Sequence, residues 1–296
     1  MSGYRSGFVT LVGCPNTGKS TLLNRLVGQK IAIVTDRAQT TRNKITGVLT
    51  RPDYQIVFLD TPGVMSPKNK LGDYMQKVTS DAMNEVEAIL FVADALQGVR
   101  ERDKALLERL IKAKAPVYAL INKCDAASLG QVNEAREALE AQGFLADILP
   151  ISGKTGEGLE ALEAVLLTRL VPGPQYFPED MVTDQPERIL CGELIREKAL
   201  LLLRDEVPHG VGVGVDKMER RQDRDMMDVY ATIYCEREGH KGIVIGKGGA
   251  MLKRIGAEAR KDIEWMLGCP VNLQLWVKVK EDWRNKTAVL RELGYE

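Results

Sequence analysis

The eight residues Gly13-Cys14-Pro15-Asn16-Thr17-Gly18-Lys19-Ser20 constrain this chain more than any other stretch. They follow the apolar run Phe8-Val9-Thr10-Leu11-Val12, which reads as a buried strand. They run into Thr21-Leu22-Leu23-Asn24-Arg25-Leu26-Val27, whose leucines recur at helical spacing. The spacing G-x-x-x-x-G-K-S on a strand–loop–helix is that of a phosphate loop. The glycines let consecutive N–H groups point into one concavity, and the helix that follows adds its positive dipole end. Gly13, Asn16, Thr17, Gly18, Lys19, Ser20 and Thr21 are therefore expected to surround a nucleoside triphosphate. Lys19 would reach the β- and γ-phosphates, and Ser20 would hold Mg²⁺.

Up to about residue 170, short apolar runs alternate with amphipathic stretches. Strands are predicted at 8–13, 45–50, 55–60, 88–94, 116–121 and 147–151, and helices at 19–28, 73–84, 101–113, 131–142 and 157–169. This order means an α/β domain: a mixed, mostly parallel sheet with helices on both faces and ligands at the carboxyl ends of its strands. Only Arg51-Pro52-Asp53-Tyr54 separates the second and third strands, so one antiparallel edge hairpin is expected. Prolines crowd residues 171–187, which read as a linker between a first domain (1–170) and a second (188–296). The second domain is predicted as α+β: a helix over 188–205, strands at 211–219 and 228–237, helices about 248–267, a strand at 271–279, and a final helix over 281–293.

Three more stretches fall at strand ends. Asp60-Thr61-Pro62-Gly63 closes one strand; its carboxylate suits Mg²⁺ and the Gly63 N–H suits a γ-phosphate. Asn122-Lys123-Cys124-Asp125 closes another; Asp125 can accept two hydrogen bonds from the N1–H and N2–H₂ edge of guanine, which adenine does not offer. Ser152-Gly153-Lys154 follows the next strand and offers N–H groups to guanine O6. In this order they describe a GTP site. The set resembles the translation-factor-like class of P-loop GTPases. That resemblance implies a switch threonine in Ala38-Gln39-Thr40-Thr41-Arg42, expected to be Thr41, with Thr40 the alternative. Lys19, Thr41 and Gly63 would then carry catalysis, and Ser20, Thr41 and Asp60 the metal. Val64 stands where many such GTPases have a water-orienting glutamine, so slow intrinsic turnover is expected. Asn16 resembles an asparagine that ligates K⁺ in related GTPases, and such an ion could take part of an arginine finger's role.

In the second domain, Gly246-Lys247-Gly248-Gly249 is a G-x-x-G loop after Ile243-Val244-Ile245. The following helix carries Leu252, Ile255, Ala259, Ile263 and Met266 on one face. Such a loop lets a backbone approach phosphates while a neighbouring apolar groove receives unstacked bases, as in KH domains. Ile245, Gly246, Lys247, Gly248, Gly249, Lys253 and Arg254 are the expected RNA contacts. The element order resembles a type II KH domain. With the GTPase half, nearly the whole chain resembles the Era family of bacterial ribosome-assembly GTPases. That resemblance implies GTP and GDP as ligands and binding of the 16S rRNA 3′ end through the KH domain. It further implies action on the 30S subunit, RNA-stimulated hydrolysis, and a cytoplasmic protein also found loosely on the inner face of the cell membrane.

With 41 basic and 41 acidic side chains, net charge says nothing for or against a polyanionic partner. Residues 237–261 are locally basic, and nothing points to DNA. Five scattered cysteines with no C-x-x-C pair favour a reducing compartment. No apolar run approaches the length of a membrane span, and without a heptad pattern a monomer is expected. Two other readings stand beside that of an RNA-binding protein switched by its GTPase: a metabolic P-loop enzyme, which Asp125 argues against, and a GTPase whose second domain contacts protein instead of RNA.

Overall fold

A computed structural model describes residues 3–295. It divides into two compact units, one reaching from the N-terminus to Ser66 and resuming over Met75–Asp184, the other comprising Pro67–Tyr74 and Gln185–Glu296.

The first unit is built on β1 (Arg5–Val12), β2 (Ile45–Arg51), β3 (Tyr54–Asp60), β4 (Ala88–Asp94), β5 (Val117–Asn122), β6 (Asp147–Pro150) and the two-residue β7 (Val171–Pro172). Its helices are α1 (Lys19–Val27), α2 (Lys70–Asp81), α3 (Glu101–Leu110), α4 (Leu129–Glu140) and α5 (Leu159–Leu167), α2 beginning among the residues that group with the second unit. The sheet order is β2-β3-β1-β4-β5-β6. All pairs on this path are parallel except the β2–β3 hairpin, as its two-residue connection, Pro52-Asp53, requires. Strands buried on both faces must be apolar throughout, and Ala88-Ile89-Leu90-Phe91-Val92-Ala93 is entirely buried. Alternate residues feed opposite layers: Ala88, Leu90 and Val92 pack with Leu22, Leu23 and Leu162, whereas Ile89, Phe91 and Ala93 pack with Leu106, Leu107 and Leu139. Chain order reverses around β1, which lies between β3 and β4, so the loop leaving β1 opens at the sheet's switch point.

The proline-rich tract is more ordered than its composition suggests. β7 pairs antiparallel with the start of β1, Val182 O accepts from Val48 N, and the buried Gln55 amide holds the backbone of Tyr176 and Phe177. Prolines preclude a long strand here, yet side-chain amides supply the partners that a ladder would have given.

The second unit has α6 (Glu187–Leu202), β8 (Gly212–Arg220), β9 (Met227–Cys235), α7 (Glu238–Ile245), α8 (Ala250–Leu267), β10 (Val271–Val279) and α9 (Thr287–Glu292). Its sheet runs β10-β9-β8, with β10 parallel and β8 antiparallel to β9. Helix–strand–strand–helix–helix–strand with this pairing is the type II KH order. The run Ile243-Val244-Ile245 ends helix α7, so the glycine loop lies between two helices, α7 and α8. One element differs from expectation: the predicted helix over 281–293 is a 3₁₀ turn at Trp283–Asn285 followed by α9. The Trp283 indole is fully buried and donates to Gly210 O at 2.8 Å, a long-range demand that a continuous helix would not meet.

Candidate functional site

In the first unit the loop after β1 curls around a cavity of about 450 Å³. Asn16, Gly18, Lys19, Ser20, Thr21, Thr41, Gly63 and Lys123 line it. Gly18 has a left-handed φ of 93°, and a Cβ there would lie 2.4 Å from Asn122 Nδ2, so only glycine fits. That contact exists because Asn122 Nδ2 donates to Thr17 O at 2.8 Å while its Oδ1 accepts from Gly153 N at 2.9 Å. One buried amide thus ties the phosphate loop to the Ser152–Lys154 loop. Ser152 Oγ donates to Asp125 Oδ1 at 2.7 Å, orienting the exposed carboxylate. Lys154 is exposed and takes no part in these bonds.

Lys19 is buried, and its ammonium donates to the carbonyls of Gly13 and Cys14, each at 3.1 Å. Desolvation lowers its pKa, opposed by the Asp60 charge. Ser20 Oγ donates to Asp60 Oδ2 at 2.6 Å and lies 2.8 Å from Thr41 Oγ1. Asp60 Oδ1 is buried with no hydrogen-bond partner among the described residues. Three converging oxygens with one carboxylate oxygen left over form a hard-donor set that suits Mg²⁺. Thr40 is turned elsewhere: its hydroxyl lies 2.6 Å from Thr35 Oγ1 and donates to Arg37 O. Gly63 enters the cavity wall through the bond from Val64 N to Gly13 O at 3.1 Å. The Val64 side chain packs on the apolar core. Arg42 is fully buried and absent from the cavity wall.

Burial pushes the Asp60 carboxyl up to about 6, with Lys19 and the Ser20 hydroxyl pulling it down. Because the folded pKa exceeds the ordinary 3.8, this group favours folding most below about pH 4 and loses that contribution as pH rises through about 6. The full swing is roughly 3 kcal/mol. In EDTA, the Tm of Asp60→Asn minus that of the unmodified chain should therefore increase from pH 5 to pH 8. A difference independent of pH would contradict the burial of an ionised group here.

Sequence reasoning missed Asp94. It is buried at the end of β4 and accepts from Lys123 Nζ at 2.7 Å, while the same ammonium donates to Asn16 O at 2.7 Å. The available signal was a carboxylate closing an otherwise apolar strand. Asp36, Arg37, Gln39 and Gln97 also line the cavity without having been singled out as site residues.

In the second unit, α7 ends at Gly246 (φ 74°), a 3₁₀ turn follows over Lys247–Gly249, and α8 begins at Ala250. Lys247, Lys253 and Arg254 are exposed, Arg254 meeting Glu258 at 3.0 Å. Ile255, Ala259 and Ile263 are buried, whereas Ile245 and Leu252 remain half-buried. On the sheet, Val229, Ala231 and Ile233 of β9 are fully buried, but Leu273, Leu275 and Val277 of the edge strand β10 are only half-covered. An apolar strip thus remains open along β10, which α8 packs against (a Cβ on Gly256 would meet Leu275 at 3.3 Å).

The profile of a family described as 50S ribosome-binding GTPases matches residues 8–123, and that of the KH domain matches residues 206–284. GTPase Era of Alkaliphilus metalliredigens is 50% identical over 293 residues, covering 99% of each chain. That of Clostridioides difficile is 50% identical over 295 residues, again with 99% of each covered. A crystal structure of Era in complex with MgGDPNP and nucleotides 1506-1542 of 16S ribosomal RNA superposes with a TM-score of 0.94 at 40% identity, covering 99% of both chains. A variant of Aquifex aeolicus Era bound to GDP·AlF₄⁻ gives 0.94 at 41%, covering 98% of this chain and 99% of that one. With half of its residues identical to these relatives across both units, this chain belongs to the Era family of GTPases.

Proposed function

We propose that the chain binds GTP in the first unit, hydrolyses it slowly, and binds the 3′ end of 16S rRNA through the second unit during assembly of the 30S subunit. The observation that carries this reading is the pairing, in one chain, of a guanine-type site with a glycine turn beside an open apolar strip. An Era structure holding both a GTP analogue and a 16S fragment supports it.

In the first unit, the N–H groups of residues 13–21 and the Lys19 ammonium receive the phosphates, displacing Lys19 from the Gly13 and Cys14 carbonyls that now occupy it. Ser20, Thr41 and Asp60 hold Mg²⁺, which neutralises charge developing between the β- and γ-phosphates. Asp125 reads the guanine edge, and the Lys123 stem, anchored by Asp94, covers the base. In the second unit, the 246–249 backbone takes RNA phosphates and the β10 strip takes unstacked bases.

Slow turnover follows from Val64, whose side chain packs on the core and has no polar atom to offer water. K⁺ is the further activator we assign, through Asn16. Its Nδ2 donates to Asp36 O at 2.6 Å, so its amide already links the phosphate loop to the switch segment whose carbonyls could complete a cation shell. Phosphate release from GTP should be slow in Mg²⁺ with NaCl and about tenfold faster with KCl. No release in either salt would remove the hydrolytic reading, and equal rates would remove the K⁺ assignment.

A further inference from the structure

With Val64 turned into the core, the cavity wall must supply any side-chain amide that touches the attacking water. Three amides line it: Asn16, Gln39 and Gln97. The Asn16 Nδ2 is engaged by Asp36 O. Gln97 Nε2 donates to Asp94 Oδ2 at 3.2 Å, and its Oε1 accepts from Arg100, which fixes it beside Lys123 at the base end. Gln39 is placed differently. It lies two residues before Thr41, and its Nε2 donates to Met65 Sδ at 3.4 Å, two residues beyond Gly63. Its amide therefore spans the gap between the two segments expected to meet a γ-phosphate. Thioether sulfur is a weak acceptor, so exchanging that contact for water costs little. The backbone at Gln39 is left-handed (φ 62°), an uncommon conformation for glutamine that aims this side chain from the switch segment.

We propose that Gln39 orients the attacking water, the task that a glutamine at the position of Val64 performs in other GTPases. The Gln39 carbonyl oxygen accepts a hydrogen bond from the water, whose oxygen forms the new bond to Pγ. The bond from Pγ to the β–γ bridging oxygen breaks, GDP leaves with its electron pair, and the water's proton leaves with the phosphate. Gln39 gains and loses no proton, so its role is orientation and not general-base catalysis.

This inference rests on GTP hydrolysis as the reaction, and the unmodified chain assayed in parallel tests that separately. Single-turnover hydrolysis by Gln39→Ala should fall about tenfold to hundredfold. Affinity for a fluorescent GTP analogue should stay within about twofold, because the amide acts in the transition state. Affinity for GDP·AlF₄⁻, which mimics the transferring phosphoryl group, should fall with the rate, while that for GDP·BeF₃⁻ should not. Gln39→Gly preserves the left-handed backbone and should be as slow as Gln39→Ala. A normal rate in either variant would overturn the proposal. So would a parallel loss of ground-state affinity, which would make Gln39 a structural loop residue.

Discussion

Replacing Asp125 by asparagine is expected to invert the chain's base preference, lowering affinity for GTP by about 10³ to 10⁴ and making XTP the better ligand. The carboxylate accepts from two guanine donors, N1–H and N2–H₂. An amide can accept from only one of these, and its own N–H₂ then faces a donor. Charge-assisted bonds contribute roughly 1.5–3 kcal/mol each, and an unsatisfied donor adds its desolvation cost. Xanthine carries a carbonyl in place of the 2-amino group, which the amide can serve. Here Ser152 Oγ holds Asp125 at 2.7 Å and should hold the amide equally well, so the loop is expected to keep its shape. Competition of GTP, XTP and ATP against a fluorescent GDP analogue reads the preference, and unchanged order would remove the base assignment.

Gly248→Asp is expected to abolish most RNA binding while leaving nucleotide binding and fold intact. Gly248 has φ 60°, and a Cβ there meets nothing within 4 Å. Aspartate tolerates that left-handed conformation better than most residues, so thermal stability should change little. What changes is charge: a carboxylate enters a turn where a phosphate must approach the backbone. At about 4 Å the repulsion is about 1 kcal/mol in water and about 4 kcal/mol near a protein surface, so affinity should fall about fivefold to several hundredfold. The loss should shrink as salt rises. Titration of a labelled RNA covering nucleotides 1506-1542 of 16S rRNA, the fragment held by the related Era, measures it. Unchanged affinity would favour a protein partner for this surface.

The parts of the site legible in sequence are those whose chemistry is local. The phosphate loop needs its glycines and lysine at fixed offsets because backbone N–H groups do the binding, and the structure sets them at the end of β1. Asp60, Asn122 and Ser152 each follow an apolar strand, and strand ends converge in a parallel sheet. The choice between Thr40 and Thr41 was not decidable locally, since it depends on which hydroxyl meets Ser20 across 21 residues. Asp94 escaped notice because its partner Lys123 lies 29 residues away. The same holds for Gln39 and Met65, which come together only through the fold. Among elements, the bounds of α7 were not legible because its last turn, Ile243-Val244-Ile245, is short, apolar and β-branched, a pattern that strand and buried helix share. The α9 boundary turned on Trp283 reaching Gly210, a tertiary contact that overrides local propensity.

Whether one chain carries two independent cradles, for guanine nucleotide and for RNA, is decided most directly by a crossed titration. The unmodified chain, Asp125→Asn and Gly248→Asp are each titrated with GTP and with the 1506-1542 RNA in Mg²⁺. Asp125→Asn should lose GTP binding and retain RNA binding at a fixed nucleotide state, supplied as XTP. Gly248→Asp should lose RNA and retain GTP at its original affinity. Full GTP affinity in the first variant, or full RNA affinity in the second, would contradict the assignment of that cradle.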